Sequence, residues 1–241
     1  MDIVPAIDII DGQCVRLEKG VYERKKIYHS DPLVVAKSFE DHGITRLHLV
    51  DLDGAKAKRV INWGVVKKIV EGTNLTVDFG GGIKSEEDLK KILDCGAHQV
   101  TVGSVAAQSP ELFLSWLDKF GPEIIILGAD VKNGYIAAQG WLKETNWHWR
   151  SFVDDYFSQG VRHVICTDIS KDGMLAGPAL DLYQDMLEVF PKLKLTASGG
   201  VSSMDDVREI AAIGCHACII GKAIYEGKIT LLELQNFQNA G

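Results

Sequence analysis

An internal repeat is the feature of this chain that most constrains its fold. The segment VDFGGGIKSEED at 77–88 resembles LTASGGVSSMDD at 195–206. Matching residues such as Gly81 and Gly199 lie 118 positions apart, which is about half of the 241 residues. A duplicated chain has a pseudo-twofold axis, and a site on that axis receives two copies of each functional group. The repeat therefore predicts paired chemistry as well as a fold in two halves.

Eight short apolar runs alternate with amphipathic stretches along the chain. The runs are mostly β-branched, which is typical of buried parallel strands. They are IVPAID (3–8), RLHLVD (46–51), LTVDFG (75–80), QVTVGS (99–104), IIILGAD (124–130), HVICTD (163–168), LKLTAS (193–198) and ACIIGK (217–222). Two of the helical stretches open with the spacing of a capping box, Ser85 with Asp88 and Ser203 with Asp206.

Eight strands that alternate with helices in two equal halves predict an α/β fold, the (β/α)₈ TIM barrel with an internal twofold half-barrel repeat. An open doubly wound sheet is the alternative, and it explains the halved symmetry less well. We expect one domain over residues 1–241, with half-barrel repeats of about 1–121 and 122–241, because no Ser/Pro-rich linker divides the chain.

The charge and hydropathy of the chain argue against binding to nucleic acid and against insertion into a membrane. The net charge of −7 argues against a nucleic-acid surface, and no apolar run approaches a membrane span. The N-terminal MDIVPAIDII is too short and too acidic for a signal peptide. An odd count of five cysteines in apolar settings indicates a reducing compartment, so we expect a cytoplasmic protein. The pair Cys215 and Cys218 has the spacing of a redox or metal motif, but its place at an apolar strand favours buried small residues.

Glycines follow four of the predicted strands in symmetric positions. In such barrels the site lies at the carboxyl ends of the strands. Glycine lets the backbone approach a ligand closely, and free N–H groups at a helix start bind phosphate. The symmetry favours a ligand with two phosphates over ordinary tight turns. The candidate residues are Gly81, Gly82, Gly103 and Ser104 in the first half and Gly199, Gly200, Gly221 and Lys222 in the second.

Two carboxylates end opposite strands of the predicted ring. Asp8 closes the first strand and Asp130 the fifth, as partners in the repeat of AIDIIDG and GADVKNG. A pair of carboxylates can act as base and acid on a substrate held between them. The alternative is that both cap turns or pair with cations. No Ser–His–Asp arrangement, metal-ligand spacing or dinucleotide fingerprint competes for the role, so we expect no metal.

Two long segments follow these strands. The first, residues 11–30, carries Arg16 and Lys19, and we expect a mobile loop that closes over a phosphate, with a solvated loop as the alternative. The second contains three tryptophans. Trp147 and Trp149 are expected to pack on the next helix, and Trp141 to stack on an aromatic ring of the ligand.

Three further polar residues lie on predicted strands. Thr167 and Asp168 end the sixth strand, where a hydroxyl could orient a ribose or steady the acid. His48 lies within the second strand, and a lone strand histidine is more often a satisfied core residue than a substrate contact.

These segments resemble a known family. PAIDIIDGQCVRL, HLVDLDGAK, FGGGIKSEEDL, GADVKNGYIAAQGW, CTDISKDGMLAGP and SGGVSSMDDV are similar to the phosphoribosylformimino-5-aminoimidazole carboxamide ribotide isomerases of histidine biosynthesis. The resemblance covers nearly the whole chain. It implies a duplicated half-barrel that catalyses an Amadori rearrangement, the fourth step of that pathway, converting a bisphosphorylated aminoaldose to an aminoketose. It also implies a monomer that needs no cofactor.

The resemblance also implies roles for individual residues. Asp8 matches the general base that removes the ribose C2 proton, Asp130 the general acid that helps to open the ring, and Thr167 a residue that assists the acid. The positions that match ligand-holding residues, or lie near them, are Arg16, Gly82, Gly103, Ser104, Gly200, Gly221 and Lys222.

Three alternatives stay open. The sister cyclase, which is the barrel half of imidazole glycerol phosphate synthase, has Cys where Ala6 stands and Lys where Arg16 stands, and both departures argue against it. A dual-substrate isomerase that also acts on phosphoribosyl anthranilate is not excluded by any residue. A non-catalytic phosphosugar-binding barrel would need neither Asp8 nor Asp130.

Overall fold

The computed structural model describes residues 1–18, 21–138, 140–141 and 143–240. The strands in this part are β1 (Asp2–Ile10), β2 (Gln13–Glu18), β3 (Val21–His29), β4 (Arg46–Asp51), β5 (Thr76–Gly80), β6 (Gln99–Val102), β7 (Ile125–Lys132), β8 (Tyr135–Ala138), β9 (Lys143–His148), β10 (His163–Asp168), β11 (Lys194–Ser198) and β12 (Ala217–Ile220). The helices are α1 (Pro32–Glu40), α2 (Leu52–Ala57), α3 (Trp63–Gly72), α4 (Glu86–Asp94), α5 (Ser104–Gln108), α6 (Pro110–Phe120), α7 (Trp149–Ser158), α8 (Leu180–Val189), α9 (Met204–Ala212), α10 (Lys222–Tyr225) and α11 (Leu231–Asn239).

Eight of the strands pair in a closed ring. Their order is β10-β11-β12-β1-β4-β5-β6-β7, and a further pairing of β7 with β10 joins the ends. Helices alternate with these strands along the chain. The predicted (β/α)₈ TIM barrel is therefore confirmed. The open doubly wound sheet is wrong, because the β7–β10 pairing leaves neither end of the row as an edge.

By their contacts the residues divide into two compact units. One consists of Met1 and Thr101–Cys218, and the other of Asp2–Val100 and Ile219–Gly241. Below they are called the Thr101 unit and the Asp2 unit. Their boundaries fall inside β6 and β12. The single domain with repeats of about 1–121 and 122–241 stays a prediction.

The capping boxes predicted at two helices are confirmed. The Ser85 hydroxyl accepts the N–H of Asp88 at the start of α4, and the Asp88 carboxylate accepts the N–H of Ser85 in return. Ser203 and Asp206 repeat this arrangement at α9. These paired bonds satisfy N–H groups that a helix start otherwise leaves unpaired, so the local sequence sets where both helices begin.

Alternation along the barrel strands separates two faces. In β4, Leu47 and Leu49 are fully buried, whereas Arg46, His48 and Val50 take the other face and are partly buried. Successive side chains of a strand point to opposite faces, so the first set faces the helices and the second the barrel interior. Arg46 and His48 of β4 thus lie on the inner face of the ring.

The five cysteines are free thiols, and only Cys95 among them is not buried. The prediction that Cys215 and Cys218 are buried small residues is confirmed, since they are 4% and 0% exposed. Burial raises the pKa of the Cys215 thiol to about 12 and raises that of Cys218 further. Neither thiol is poised to form the reactive thiolate.

No helix in the described ranges is both long and apolar enough to cross a membrane.

Candidate active site

The long segments after β1 and β7 form hairpins, so β2 and β3 are strands in the segment where a loop was expected, and closure of that segment over a phosphate stays a prediction. A two-residue turn, Asp11-Gly12, joins β1 to β2, and Asn133-Gly134 joins β7 to β8. All four residues have positive φ, between 51° and 84°. Such turns match the twist of antiparallel strands, and Asp-Gly and Asn-Gly are their strongest sequence signal. That signal, present in both repeats, would have predicted the hairpins.

Asp8 lies in β1 and is held by Arg16 of β2. A guanidinium nitrogen of Arg16 is 3.0 Å from the Asp8 carboxylate, and the side chains are 13% and 14% exposed. Antiparallel pairing of β1 with β2 brings the two residues together, because Asp8 is opposite Val15 in the register. Lys19, the other cation expected here, lies outside the described residues.

The Arg16 guanidinium also covers the start of α10. A Cβ added to Gly221 would lie 2.6 Å from its central carbon, so a larger residue at this position would displace the guanidinium. Lys222 is the next residue and the first of α10. Within the Asp2 unit, the structure thus brings Asp8, Arg16, Gly221 and Lys222 together.

Tyr225 belongs to the same group and was not predicted. Its hydroxyl donates to the carbonyl of Ala6 at 2.9 Å, and the Cys14 thiol donates to the hydroxyl at 3.4 Å. Burial raises the pKa of Tyr225 well above its usual range. The phenol therefore stays neutral and ties α10 to β1 and β2. Sequence offered no signal for this contact, since Tyr225 and Ala6 are 219 residues apart.

Asp130 lies in β7 and is held by Trp141. The indole N–H of Trp141 donates to the Asp130 carboxylate at 2.9 Å. Trp141 has a φ of 70°, which is uncommon for a bulky residue and is found where surrounding structure imposes it. The ring was expected to stack on a ligand, and here its N–H binds a proposed catalytic group instead. Stacking stays a prediction.

Of the other two tryptophans, Trp147 packs on the next helix as predicted, whereas Trp149 belongs to that helix. The ring of Trp147 meets that of Phe152 of α7 edge to face, with centroids 5.0 Å apart. Trp149 is the first residue of α7 and is 5% exposed. Trp147 therefore packs the β8–β9 hairpin on α7 within the Thr101 unit.

Thr167 and Asp168 end β10 beside Asp130. Thr167 is opposite Asp130 in the parallel register of β10 with β7, so the two side chains are neighbours on one face. Asp168 accepts the N–H and the hydroxyl of Ser170 at 2.8 and 2.6 Å. Burial, together with the charges of Asp130 and Asp168, raises the pKa of the Cys166 thiol well above its usual value.

The glycines after β5 and β11 are required by close packing of backbone. A Cβ added to Gly82 would lie 2.5 Å from the carbonyl oxygen of Arg59, and one on Gly200 only 2.2 Å from that of Gly177. Gly82 and Gly200 have φ values of 81° and 86°. Each glycine therefore serves the turn whether or not a phosphate binds.

The remaining glycines and serine stand at similar turns. Gly81 lies against the backbone of Asp51, as Gly199 lies near that of Asp168. Gly103 packs on Gly128, and Ser104 begins α5. Gly103 and Ser104 belong to the Thr101 unit with Gly199 and Gly200, whereas Gly81 and Gly82 belong to the Asp2 unit.

A buried ionic pair was also missed. Nδ1 of His48 lies 2.5 Å from the Asp78 carboxylate, and the side chains are 12% and 5% exposed. The interpretation of His48 as a satisfied core residue accounts for this bond. Asp78 stands at an inward position of an apolar strand, where a charge is unusual, and that signal was available in the sequence.

Comparison with known proteins gives one family. The model of the family described as histidine biosynthesis protein matches residues 2–230. The chain is 53% identical over 237 residues to the 1-(5-phosphoribosyl)-5-((5-phosphoribosylamino)methylideneamino)imidazole-4-carboxamide isomerase of Flavobacterium psychrophilum, covering 98% of each chain. Proteins of the same name from Bacteroides thetaiotaomicron and Cytophaga hutchinsonii are 54% and 50% identical, with 98% of this chain and 99% of each relative covered.

Proposed function

Because the chain belongs to the histidine biosynthesis protein family, we propose that it is an aldose–ketose isomerase that carries out an Amadori rearrangement. Its substrate is the bisphosphorylated aminoaldose imidazole carboxamide ribotide, and its product is the corresponding aminoketose. The named relatives are isomerases that match almost the whole chain at 50% identity or more.

One observation carries the proposal. Asp8 and Asp130 are partners in the repeat, and each lies near the carboxyl end of a barrel strand, where Arg16 binds Asp8 and the indole N–H of Trp141 binds Asp130. The strands β1 and β7 stand four places apart in the ring of eight. Two carboxylates so placed suit a reaction that needs a base and an acid on one substrate.

The acid acts first in the proposed mechanism. Asp130 donates a proton to the ribose ring oxygen, the C1–O bond breaks, and the glycosidic nitrogen takes the positive charge as an iminium ion. Thr167 lies beside Asp130 and assists it. The indole N–H of Trp141 fixes the carboxyl group and stabilises the carboxylate left after the transfer.

The base acts on the opened sugar. The iminium makes the C2 proton acidic, and Asp8 removes it to give an enolamine, which becomes the aminoketose as the C2 hydroxyl proton is lost and C1 gains one. Atoms balance without a redox partner. The Arg16 guanidinium favours the ionised form of Asp8 that a base needs.

Binding groups hold the two ends of the substrate in this proposal. One phosphate lies at Gly81, Gly82, Gly103 and Ser104, and the other at Gly199, Gly200, Gly221 and Lys222. Backbone N–H groups of the turns donate to each phosphate, and Lys222 adds a cation to the second. Asp168 binds a ribose hydroxyl.

The remaining parts of the proposal concern partners and place. The acidic net charge of −7 supports a small-molecule substrate rather than nucleic acid. We propose that the protein is a monomer. We also propose that it is located in the cytoplasm, because the cysteine pattern indicates a reducing compartment.

Turnover of the aminoaldose tests the function. The purified protein is incubated with the aldose, and a downstream glutamine amidotransferase–cyclase with glutamine traps the ketose. Trapped product that is lost in Asp8→Asn supports the isomerase and its base together. Conversion of the ketose with ammonia, but not of the aldose, would replace the isomerase with the cyclase. Turnover of phosphoribosyl anthranilate in the same preparation would add the dual-substrate activity, and binding without any turnover would leave a phosphosugar-binding barrel.

A further inference from the structure

The His48–Asp78 pair is a feature that the proposed mechanism does not use. The two residues are opposite each other in the register of β4 with β5, and both are largely buried. Removing two charges from water costs free energy that their attraction offsets only in part. Their repeat partners, Ile165 and Thr196, carry no charge. The second half of the barrel therefore has no such pair at the matching positions. This indicates that the fold does not require the pair.

The pair stands directly beneath Asp8. In the register of β1 with β4, Ala6 is opposite His48 and Asp8 is opposite Val50. Because side chains alternate along a strand, Ala6 and Asp8 point to the same face, as do His48 and Val50. His48 thus lies one layer below Asp8 on the same face, and Asp78 lies beside it on the next strand. All these residues belong to the Asp2 unit.

We propose that Asp78 is a positioning residue that acts through His48 on the base Asp8. The Asp78 carboxylate holds the imidazole by Nδ1 and keeps it cationic, and the cation favours the ionised form of Asp8. This inference rests on the proposed function, since it assigns a residue to the base of that reaction.

The charges around His48 support an action of Asp78 on His48 and of His48 on Asp8. Burial lowers the pKa of His48 and Asp78 beside it raises the pKa, and the net shift is upward from 6.5. Asp8 from β1 raises it further, and Arg16 from β2 opposes this. The pair is neutral as a whole. Its cationic member is on the strand next to β1 and its anionic member one strand further away, so the cation dominates the field at Asp8.

Titration by NMR tests the proposal without relying on activity. The imidazole of His48 and the carboxyl carbon of Asp8 are followed against pH in the native protein and in Asp78→Asn. We expect His48 to titrate above 6.5 in the native protein and below it in the variant, because burial is the largest effect on its pKa and Asp78 no longer offsets it. We expect Asp8 to titrate at a higher pH in the variant, because a nearby cation that favours its ionised form is lost. The acidic limb of kcat/KM moves by the same amount.

A double-mutant cycle separates action through His48 from direct action. Asp78→Asn is repeated in a His48→Gln background, where it should leave the Asp8 titration unmoved. Thr196→Val, at the repeat partner of Asp78, is the matched control and should leave both the Asp8 titration and the acidic limb in place. An unchanged Asp8 midpoint in Asp78→Asn, or an equal shift in the His48→Gln background, overturns the proposal.

The titrations can fail or succeed independently of the activity assay that tests the proposed function. If Asp78→Asn does not fold, Asp78→Glu replaces it and should restore the native titrations, and a native His48 that titrates at or below 6.5 overturns the proposal by itself. If the native protein lacks isomerase activity, the proposed function fails, and a coupled titration of His48 and Asp8 still supports the electrostatic link.

Discussion

Asp51 is the last residue of β4 and Asp168 is the last residue of β10, at matching positions of the repeat. The two carboxylates nevertheless have different surroundings. Asp51 is fully buried and accepts the N–H groups of Gly54, Ile61 and Asn62, each at 2.8 Å. Asp168 is partly exposed, and its carboxylate accepts the N–H and the hydroxyl of the nearby Ser170. Duplication thus supplied two copies of one carboxylate, and burial turned one into a structural anchor while the other stayed accessible to a ligand.

Substitution of either proposed catalytic carboxylate should lower turnover to a similar extent, although the two residues belong to different units. Asp8→Asn and Asp130→Asn should each lower kcat by about a hundredfold to ten-thousandfold, the usual contribution of one acid or base. Substrate binding should change little, since the shape is kept. Steady-state kinetics with calorimetric binding measures both. Asp11→Asn, in the exposed turn three residues from Asp8, is the control and should turn over normally. Normal turnover in both active-site variants would contradict the mechanism.

The contrast between Asp51 and Asp168 predicts opposite consequences of one substitution. Asp51→Asn places an amide against backbone N–H donors and should lower the free energy of unfolding by about 2–3 kcal/mol. Asp168→Asn should change it by less than about 0.5 kcal/mol, as at other accessible positions, and should instead raise KM. Urea unfolding and kinetics on both variants decide this. Equal destabilisation would mean that Asp168 is also an anchor.

The two proposed phosphate sites differ in one cation. A bisphosphate analogue at about a hundred times its Kd should stabilise the native protein by about 2.7 kcal/mol, which thermal unfolding detects as a higher Tm. Lys222→Met should weaken binding more than Ser104→Ala, and the difference should shrink with added salt, because salt screens charge. No shift of Tm at millimolar ligand would count against both sites.

Close packing should distinguish two glycines of similar backbone conformation. Gly200 and Gly214 have φ values of 86° and 91°, but only Gly200 has a backbone oxygen where a Cβ would lie. Gly200→Ala should therefore destabilise the protein by about 1–3 kcal/mol more than Gly214→Ala, the typical cost of overpacking. Denaturant unfolding of the two variants gives this difference directly. Equal losses would show that backbone conformation alone explains both.

The smallest effect concerns the amino ends of β4 and β10. Arg46 binds Asp2 there in the first half, and His163 and Lys194 bind Glu123 in the second. The bonds from His163 and Lys194 lower the pKa of Glu123 from 4.5 to about 2. Because the folded pKa is depressed, this contribution to stability is present above 4.5 and is lost as pH falls towards 2.

Glu123 is 66% exposed, so solvent screening keeps its contribution small. The difference in urea midpoint between the native protein and Glu123→Gln should therefore be modest at pH 6 and should vanish on acidification. A difference that persists at low pH would show that the substitution acts by another route than charge.

Much of the fold could be predicted because its signals are local or repeated. Capping boxes at Ser85 and Ser203 depend on residues three positions apart, and the period of apolar runs separates strands from helices. The hairpins after β1 and β7 were not predicted, although the turn sequences Asp11-Gly12 and Asn133-Gly134 are typical of hairpins. A long polar segment was taken for a loop, and the turn signal within it was overlooked.

The sequence by itself determined the closed ring of eight strands and the positions of Asp8 and Asp130 as repeat partners on two of them, since both follow from periodicity or repetition. Only the tertiary structure decided that Trp141 binds Asp130, that Asp51 is buried while Asp168 is not, and that Asp78 pairs with His48 beneath Asp8. Those contacts depend on strand register and burial, which join residues that are distant in sequence, and no local pattern contains that information.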